Sequence, residues 1–296
     1  MCAVLMNPTR YLSSVKDGVI LFWASVLPAL FPFFFFTRML TGLGFPETVG
    51  KLFEKPVGRL FHTPKISAYI FFMSVLSGYP VGAKLISEFY KSGVINAEES
   101  KKIISFSSTS APLFVIGTLG VFMLNNVLYG VIILVAHYLS AIISGLVFCN
   151  IRPLKTTSEK ARTPKPLPDN VIGDSINDSV LSVLSVGGLI AIFSLVIDVL
   201  SDLNFFALFG DFSSVAVGFF EITRGAKEVI KNPPTLRALL SILTAFTSFG
   251  GLCIFLQAMA FLKTANVKAS YYFCVKAFQG LSGAGIAYLF SLMIPV

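Results

Sequence analysis

A tripeptide ending in lysine occurs twice in this chain, and each copy is followed at the same distance by a hydroxyl-bearing element. Gly82-Ala83-Lys84 precedes Ser105-Phe106, and 143 residues further on Gly225-Ala226-Lys227 precedes Ser248-Phe249. Because both pieces share one offset, they indicate a duplicated half. Lysines within apolar sequence could bind an anion, and clustered hydroxyls could hydrogen-bond a polar solute. Duplicated halves with interrupted helices at matching places are typical of secondary transporters.

The composition predicts that the chain lies in a lipid bilayer. It has 296 residues, of which 55% are hydrophobic and 13% charged, and its mean hydropathy is +0.80. Soluble domains carry about 25% charged residues, and several apolar runs here reach the ~20 residues that cross a bilayer. The net charge of +8 does not indicate nucleic acid, because the basic residues lie in short loops between apolar segments. We expect an all-α polytopic membrane protein.

We expect two similar halves joined by a hydrophilic linker at 150–174, which holds four prolines and five basic residues. The first half, 1–149, is predicted to contain a span at 17–40, an amphipathic interfacial helix at 45–62, a hairpin at 66–90, a broken span at 103–124 and a span at 127–149. The second half, 175–296, is predicted to contain a span, a hairpin at 205–230, a broken span at 236–262 and a span at 271–293.

Two of these assignments have alternatives. The first predicted hairpin is interrupted in its middle by glycine and proline, and irregular backbone is tolerated at membrane depth only where protein or a wet cavity satisfies it. A single kinked span is the alternative to a re-entrant hairpin. The 45–62 segment combines an apolar helical stripe with a basic side, which favours an interfacial helix. A helix that packs on a soluble core would show a similar stripe.

The basic residues are distributed unequally between the two sides of this layout. If the hairpins do not cross the membrane, one side of the membrane holds 41–65, 91–102, the linker and 263–268. These segments together carry 14 Lys and Arg residues. The other side clearly carries Arg10, Lys16 and Lys231. This bias predicts a cytoplasmic linker and both termini outside. Three spans per half is an odd number, so we expect the halves to form inverted repeats.

The helix breaks and hairpin cations form the candidate substrate site. An interrupted helix exposes unpaired N–H groups and the positive end of its dipole where its second part begins, which suits an anion or a polar small molecule. Gln257, Lys276 and Gln279, polar residues in later spans, are expected to line the pathway. The predicted substrate-binding residues are Ser77, Gly78, Pro80, Gly82, Lys84, Ser107, Ser108, Thr109, Ser110, Glu221, Thr223, Arg224, Gly225, Lys227, Thr247, Ser248, Gly250, Gly251 and Gln257.

Other roles for these residues remain open. Small and hydroxyl-bearing residues also let transmembrane helices pack closely, and Lys227 could extend from a hairpin end to the interface. Glu221 is expected to pair with Arg224 or Lys227, or to carry a coupling proton; Na⁺ is the other coupling ion considered. The sequence shows no catalytic arrangement and no metal or cofactor motif, so we expect no enzyme, metal site or cofactor. A homo-oligomer is left open.

Several elements of the sequence resemble one family. They are Ser77–Lys84, Ile104–Phe114 and Ala136–Leu139, with Leu27–Phe33 and Ser248–Gly251 fitting the same pattern. Over nearly its whole length the chain resembles the YlbJ (SpoVV) family of sporulation integral membrane proteins. That family belongs with the nucleoside-recognition or gate-domain group, which is similar to the core of concentrative nucleoside transporters.

The resemblance implies two re-entrant hairpins, two discontinuous helices and an elevator-like movement of the substrate domain. It also implies that the chain moves dipicolinate, a small aromatic dianion, across the outer forespore membrane, with Lys84 and the helix starts binding its carboxylates. The chain departs from the family pattern at Ser108 and Ala111, where asparagines are usual. The alternatives are a transporter of the same fold for a nucleoside or other metabolite, and a non-transporting scaffold in spore maturation.

Overall fold

The regular structure of the described chain is entirely helical. A computed structural model describes residue 5 and residues 7–150 and 170–293. In chain order its helices are α1 (Pro8–Leu21), α2 (Leu27–Gly42), α3 (Phe45–Phe61), α4 (Ile66–Ser77), α5 (Val81–Lys91), α6 (Ala97–Ile104), the π-helix α7 (Leu113–Met123), α8 (Val127–Asn150), α9 (Val171–Asp202), α10 (Ser213–Phe220), α11 (Ile222–Lys231), α12 (Leu236–Phe249), α13 (Gly251–Leu262) and α14 (Ala269–Ser291). A π turn, Phe22–Val26, joins α1 to α2, and two 3₁₀ segments are Phe206–Phe212 and Lys263–Ala265.

The lengths and apolarity of the helices confirm the prediction of an all-α polytopic membrane protein. Within the described residues, the segments long and apolar enough to cross a bilayer are Val127–Asn150, Val171–Asp202, Leu236–Ala265 and Ala269–Ser291. Shorter apolar helical segments are Ile66–Ser77, Leu113–Met123 and Phe206–Phe220. The inverted relation of the halves and the re-entrant path of the hairpins remain predictions.

The two halves share an order of elements. Each has a long helix (α1–α2 or α9), two short helices joined by a tight turn (α4–α5 or α10–α11), an interrupted helix (α6–α7 or α12–α13) and a closing long helix (α8 or α14). The helix α3 is additional in the first half and corresponds to the predicted interfacial segment. Of the predicted linker, 151–169 lies outside the described residues, and α9 already begins at Val171.

Six of the helices pack as two groups of three, and each hairpin contacts at least one of these groups. The helices α1, α2 and α9 pack together, and α14 packs along both α8 and α12. Gly18 permits a close approach in the first group, because a Cβ there would lie 2.8 Å from Ala191 Cα. The first hairpin contacts α2 through α4 and α13 through α5, while α10 contacts α9 and α12. The second hairpin therefore contacts both groups, and the first contacts one group and α13.

The interruptions of the two broken helices differ in their chemistry. In the first, α6 ends at Ile104 and the chain is non-helical until Pro112. In the second, only Gly250 and Gly251 interrupt the helix, with φ values of +91° and +66°. Two successive residues with positive φ favour glycine strongly, because a side chain would be strained there. The Gly-Gly pair thus breaks the helix over a very short length.

The glycine of each Gly-Ala-Lys element lies at a close approach of two backbone segments. A Cβ on Gly82 would overlap the carbonyl oxygen of Ser107, and a Cβ on Gly225 would overlap Gly218 Cα. The first contact holds the first hairpin against the first helix break, and the second holds the two helices of the second hairpin together. Backbone packing, as well as chemistry, therefore accounts for the repeated tripeptide.

Adding a methyl group at either glycine is expected to destabilise the protein. Gly82→Ala and Gly225→Ala should each lower the free energy of unfolding by about 1–3 kcal/mol, because backbone must move to admit the Cβ. The matched control is Gly285→Ala in α14, where, among the described residues, no atom beyond the neighbouring stretch of its own helix lies within 4 Å of the added Cβ. That control should be neutral or more stable. Chemical unfolding in detergent measures all three, and wild-type stability of Gly82→Ala would contradict the packing interpretation.

Candidate functional site

A buried lysine of α14 has neutral partners among the residues that the structure describes. Lys276 of α14 is 0% exposed. Its Nζ donates to Tyr79 Oη at 2.7 Å, to Gln279 Oε1 at 2.7 Å and to the Ser108 carbonyl oxygen at 3.1 Å. These three acceptors match the three hydrogens of an ammonium group. Across residues 7–150 and 170–293, no carboxylate forms an ion pair with Lys276.

The partners of Lys276 connect the first hairpin to both helix breaks. Tyr79, in the turn between α4 and α5, places its hydroxyl 3.0 Å from the Thr247 carbonyl oxygen and 3.3 Å from that of Ser248. The Lys276 ammonium also lies 4.5 Å from the centroid of the Tyr79 ring, a distance at which the ring attracts a cation. Tyr79 therefore links the charge to the carbonyl end of α12.

The side chains of α14 contact the C-terminal end of each interrupted helix. Gln279 Nε2 donates to the Ser105 carbonyl oxygen at 2.9 Å, one residue beyond the end of α6. Lys276 reaches the end of α12 through Tyr79. The C-terminal end of a helix carries partial negative charge, so both contacts are electrostatically favourable. They explain how the ammonium group is stabilised although no acidic side chain of the described residues pairs with it.

A histidine bridges the two breaks next to this charge. The Ser110 N–H donates to His137 Nε2 at 2.8 Å, and His137 Nδ1 lies 2.9 Å from Ser248 Oγ. Because a backbone N–H can only donate, Nε2 must accept, and the hydrogen of the neutral ring is on Nδ1. His137 therefore donates to Ser248 and is neutral in this arrangement. The imidazole joins the first break, α8 and the second break.

The hydroxyl groups of the first break are engaged in internal hydrogen bonds. Ser74 Oγ of α4 donates to the Ser107 carbonyl oxygen at 2.6 Å and lies 2.9 Å from Thr109 Oγ1. Ser108 Oγ lies 2.8 Å from Tyr272 Oη of α14. The first break is thus held on one side by the hairpin and on the other by α14. We call the buried set Tyr79, Ser108, His137, Ser248, Tyr272, Lys276 and Gln279 the central network.

The predicted cations of the hairpins lie outside the central network. Lys84 Nζ donates to Ser182 Oγ of α9 at 2.7 Å, and Arg224 forms an ion pair with Asp198 of α9 at 2.7 Å. Lys227, the repeat equivalent of Lys84, is exposed. The predicted cations therefore have three different environments, and the charge at the centre of the bundle comes from Lys276.

Glu221 acts as the N-cap of α11. Its two carboxylate oxygens accept from the N–H groups of Thr223 at 3.1 Å and Arg224 at 2.8 Å. The expected pairing with Arg224 is therefore made to the backbone of that residue, while the guanidinium binds α9. The N–H groups at the start of α11 therefore bind a carboxylate of the protein itself, and in this arrangement they do not face a substrate anion.

The remaining predicted residues fall at the turns and breaks or in their own helices. Ser77 Oγ lies 3.2 Å from Thr37 Oγ1, and Gln257 Nε2 contacts Cys253 Sγ at 3.4 Å. The side-chain hydroxyls of Ser107 and Thr247 donate to carbonyl oxygens one turn back in the chain. The turn at the tip of the first hairpin contains Gly78, at φ +77°, and a cis Tyr79-Pro80 bond.

Four of the predicted positions belong to the central network or contact it through the backbone. Ser108 and Ser248 contribute side chains, Ser110 contributes its N–H, and Thr247 contributes a carbonyl oxygen. The sequence predicted that Lys276 and Gln279 line a pathway, but it did not predict that they form part of the central network. The spacing of these polar residues indicates a shared position, because 272, 276 and 279 lie on one face of a helix.

Tyr79, His137 and Tyr272 were missed as functional candidates. The partners of His137 are Ser110 and Ser248, which are distant from it in sequence, so no local motif marks this residue. Tyr79 lies in the break of the first predicted hairpin, between the predicted positions Gly78 and Pro80. Only the fold shows that its hydroxyl joins Lys276 to α12.

The described fold and its buried polar centre define an α-helical integral membrane protein. The chain is 26% identical to the sporulation integral membrane protein YlbJ of Bacillus subtilis strain 168, over 95% of this chain and 78% of that protein. This match supports assignment of the chain to the YlbJ family of sporulation integral membrane proteins. No protein-family model and no solved structure matches the chain.

Removal of one hydroxyl group tests the importance of the central network for stability. Tyr79→Phe removes one of the three acceptors of Lys276 and the donor to the carbonyl end of α12, so it should reduce the free energy of unfolding by about 1–3 kcal/mol. Tyr288→Phe is the matched control, because Tyr288 is 46% exposed. Unfolding in detergent measures both, and equal stabilities would show that Tyr79 is not a structural link.

Proposed function

We propose that this chain is a secondary transporter of a small anion, and that Lys276 supplies the charge that binds it. The observation that carries this proposal is the fully buried ammonium group with three neutral acceptors and, among the described residues, no acidic partner. Ionisable residues within membrane proteins are costly and are typical of substrate or ion pathways. An anionic solute would provide the counter-charge that the described residues do not provide.

The surroundings of Lys276 favour a flat, aromatic anion. The centroid of the Tyr79 ring lies 4.5 Å from the Lys276 ammonium, and Tyr272 and the His137 imidazole belong to the same hydrogen-bonded network as the two breaks. Dipicolinate, with two carboxylates on an aromatic ring, has the negative charge to pair with Lys276 and a ring that can pack on a tyrosine. The resemblance of the chain to a sporulation protein supports this choice of substrate.

The lengths of the hairpin helices support a mechanism of alternating access. The two helices of the first hairpin have 12 and 11 residues, and a 12-residue helix is about 18 Å long, well short of the ~30 Å hydrocarbon core. Such helices suit a hairpin that enters the membrane and returns. We propose that movement of the hairpins relative to the breaks, in an elevator-like cycle, exposes Lys276 first to one side and then to the other.

The proposed orientation follows from the distribution of basic residues in the sequence. The protein lies in the outer membrane of the forespore. Its linker at 150–174 is on the cytoplasmic side, and both termini are on the other side. The hydroxyl groups and imidazole of the breaks would hydrogen-bond the solute once their internal contacts open. In this proposal the chain moves a solute and carries out no chemical reaction on it.

Uptake of labelled dipicolinate into proteoliposomes tests the proposal. We expect saturable uptake by the wild type and a loss of at least about tenfold in apparent affinity for Lys276→Gln, because a buried charge pair with the substrate is removed. Lys227→Gln, which changes an exposed hairpin lysine, is the matched control and should transport normally. Lys84→Ala should keep the substrate affinity of the wild type if Lys276 is the binding charge.

The alternatives give different results in the same assay. Saturable uptake of uridine without uptake of dipicolinate would replace the proposal with a nucleoside transporter. Uptake of neither solute, by protein that is folded, would favour a non-transporting scaffold. Normal dipicolinate uptake by Lys276→Gln would leave an anion transporter but remove Lys276 from its binding site.

A further inference from the structure

The helix α9 carries two matching polar pairs, one toward each end. Asp178 and Ser182 are four residues apart, and Ser194 and Asp198 are four residues apart in the opposite order. Residues at this spacing share one helical face. The two pairs are symmetric about position 188, and each is contacted by a cation from a different hairpin. We call them the first and second docking sites of α9.

At the first docking site, Lys84 of the first hairpin approaches α9. Its Nζ donates to Ser182 Oγ at 2.7 Å and lies 3.4 Å from the Asp178 carbonyl oxygen. The Asp178 carboxylate binds Arg38 Nε of α2 at 2.7 Å, and Arg38 Nη1 lies 3.6 Å from Glu88 of the hairpin. Charges of α2, α5 and α9 thus form one network at this end.

At the second docking site, Arg224 of the second hairpin makes two contacts with α9. Its Nη2 binds the Asp198 carboxylate at 2.7 Å, and its Nη1 donates to the Ser194 carbonyl oxygen at 3.1 Å. The planar guanidinium fixes both contacts in one orientation. The Arg224 backbone N–H meanwhile donates to Glu221, so the start of α11 is held from two directions.

We propose that these two sites are paired locks that hold the hairpins against α9, and that Lys84 and Arg224 are positioning residues of the locks instead of substrate ligands. Each cation already has acceptors on α9, whereas the unpaired charge lies on Lys276. A hairpin cannot move along α9 without breaking its lock. The locks would therefore control the movement of the hairpins, a consequence that rests on the proposed transport function.

Charge reversal at the second docking site distinguishes a lock from a substrate ligand. Arg224→Asp and Asp198→Arg are made singly and together in the full chain, in detergent. Hydrogen exchange of the 213–231 segment is measured without substrate, and dipicolinate binding is measured on the same samples. Lys227→Gln serves as the control, because it removes an exposed cation from the same helix.

A lock predicts that each single change speeds hydrogen exchange of the 213–231 segment by about tenfold or more, since opening of a local unit controls exchange. The double variant should return to within about threefold of the wild type, because the ion pair is restored in reverse. It should also bind dipicolinate with wild-type affinity. The control should exchange like the wild type.

Two results would overturn the lock. Exchange in the double variant as fast as in the single variants would show that no specific pair holds the hairpin. Restored protection with loss of dipicolinate binding would show that Arg224 is a substrate ligand. If the wild type binds no dipicolinate, the proposed function fails, while the exchange data still decide whether the hairpin is docked.

The first docking site can be tested independently, because Lys84 and Lys227 are equivalent lysines of the two repeats and only Lys84 contacts this site in the described structure. Lys84→Gln and Ser182→Ala should each speed exchange of the 66–91 segment, and the double variant should show no further increase because both remove one contact. Lys227→Gln changes the equivalent lysine of the second repeat element and should leave this segment unaffected. Additive effects of the two changes would contradict a shared contact.

Discussion

The stabilisation of one buried ammonium group determines the arrangement of the bundle's centre. Lys276 takes its three acceptors from the first hairpin turn, the first helix break and its own helix. An isolated charge in an apolar interior is very costly unless hydrogen bonds satisfy it. The tight turn after α4, the carbonyl groups at both breaks and the amide of Gln279 are therefore needed together. Removal of any one leaves the charge incompletely satisfied.

The fold was predictable from the sequence to the extent that hydrophobic patterning determines it. Apolar runs of membrane length and glycine-rich interruptions indicated a polytopic helical protein, and the positions of α3, α8 and α14 follow directly from those runs. The Gly250-Gly251 break was predictable because two adjacent glycines weaken a helix strongly. Such features depend on residues close together in the chain.

The roles of the polar residues were less predictable because they depend on contacts between distant segments. Nothing in the sequence near Lys84 or Arg224 indicates that each binds α9, and Lys227 shares the motif of Lys84 yet lies exposed. His137 similarly joins residues 27 and 111 positions away. The two Gly-Ala-Lys elements therefore have different roles in the two halves. The surrounding sequence also differs, because the first half has Pro80 and a hydroxyl-rich break while the second has Glu221 and a Gly-Gly break.

The spacing of the docking sites on α9 relates the protein to the dimensions of its lipid environment. Asp178 and Asp198 are 20 residues apart on one continuous helix, which corresponds to about 30 Å along its axis, equal to the thickness of a typical hydrocarbon core. When α9 crosses a bilayer of that thickness, both carboxylates reach the head-group layers at once. In a thicker membrane one of these ion-paired carboxylates would lie at the depth of the lipid tails, where its protein partner, Arg38 or Arg224, and not water would solvate the charge.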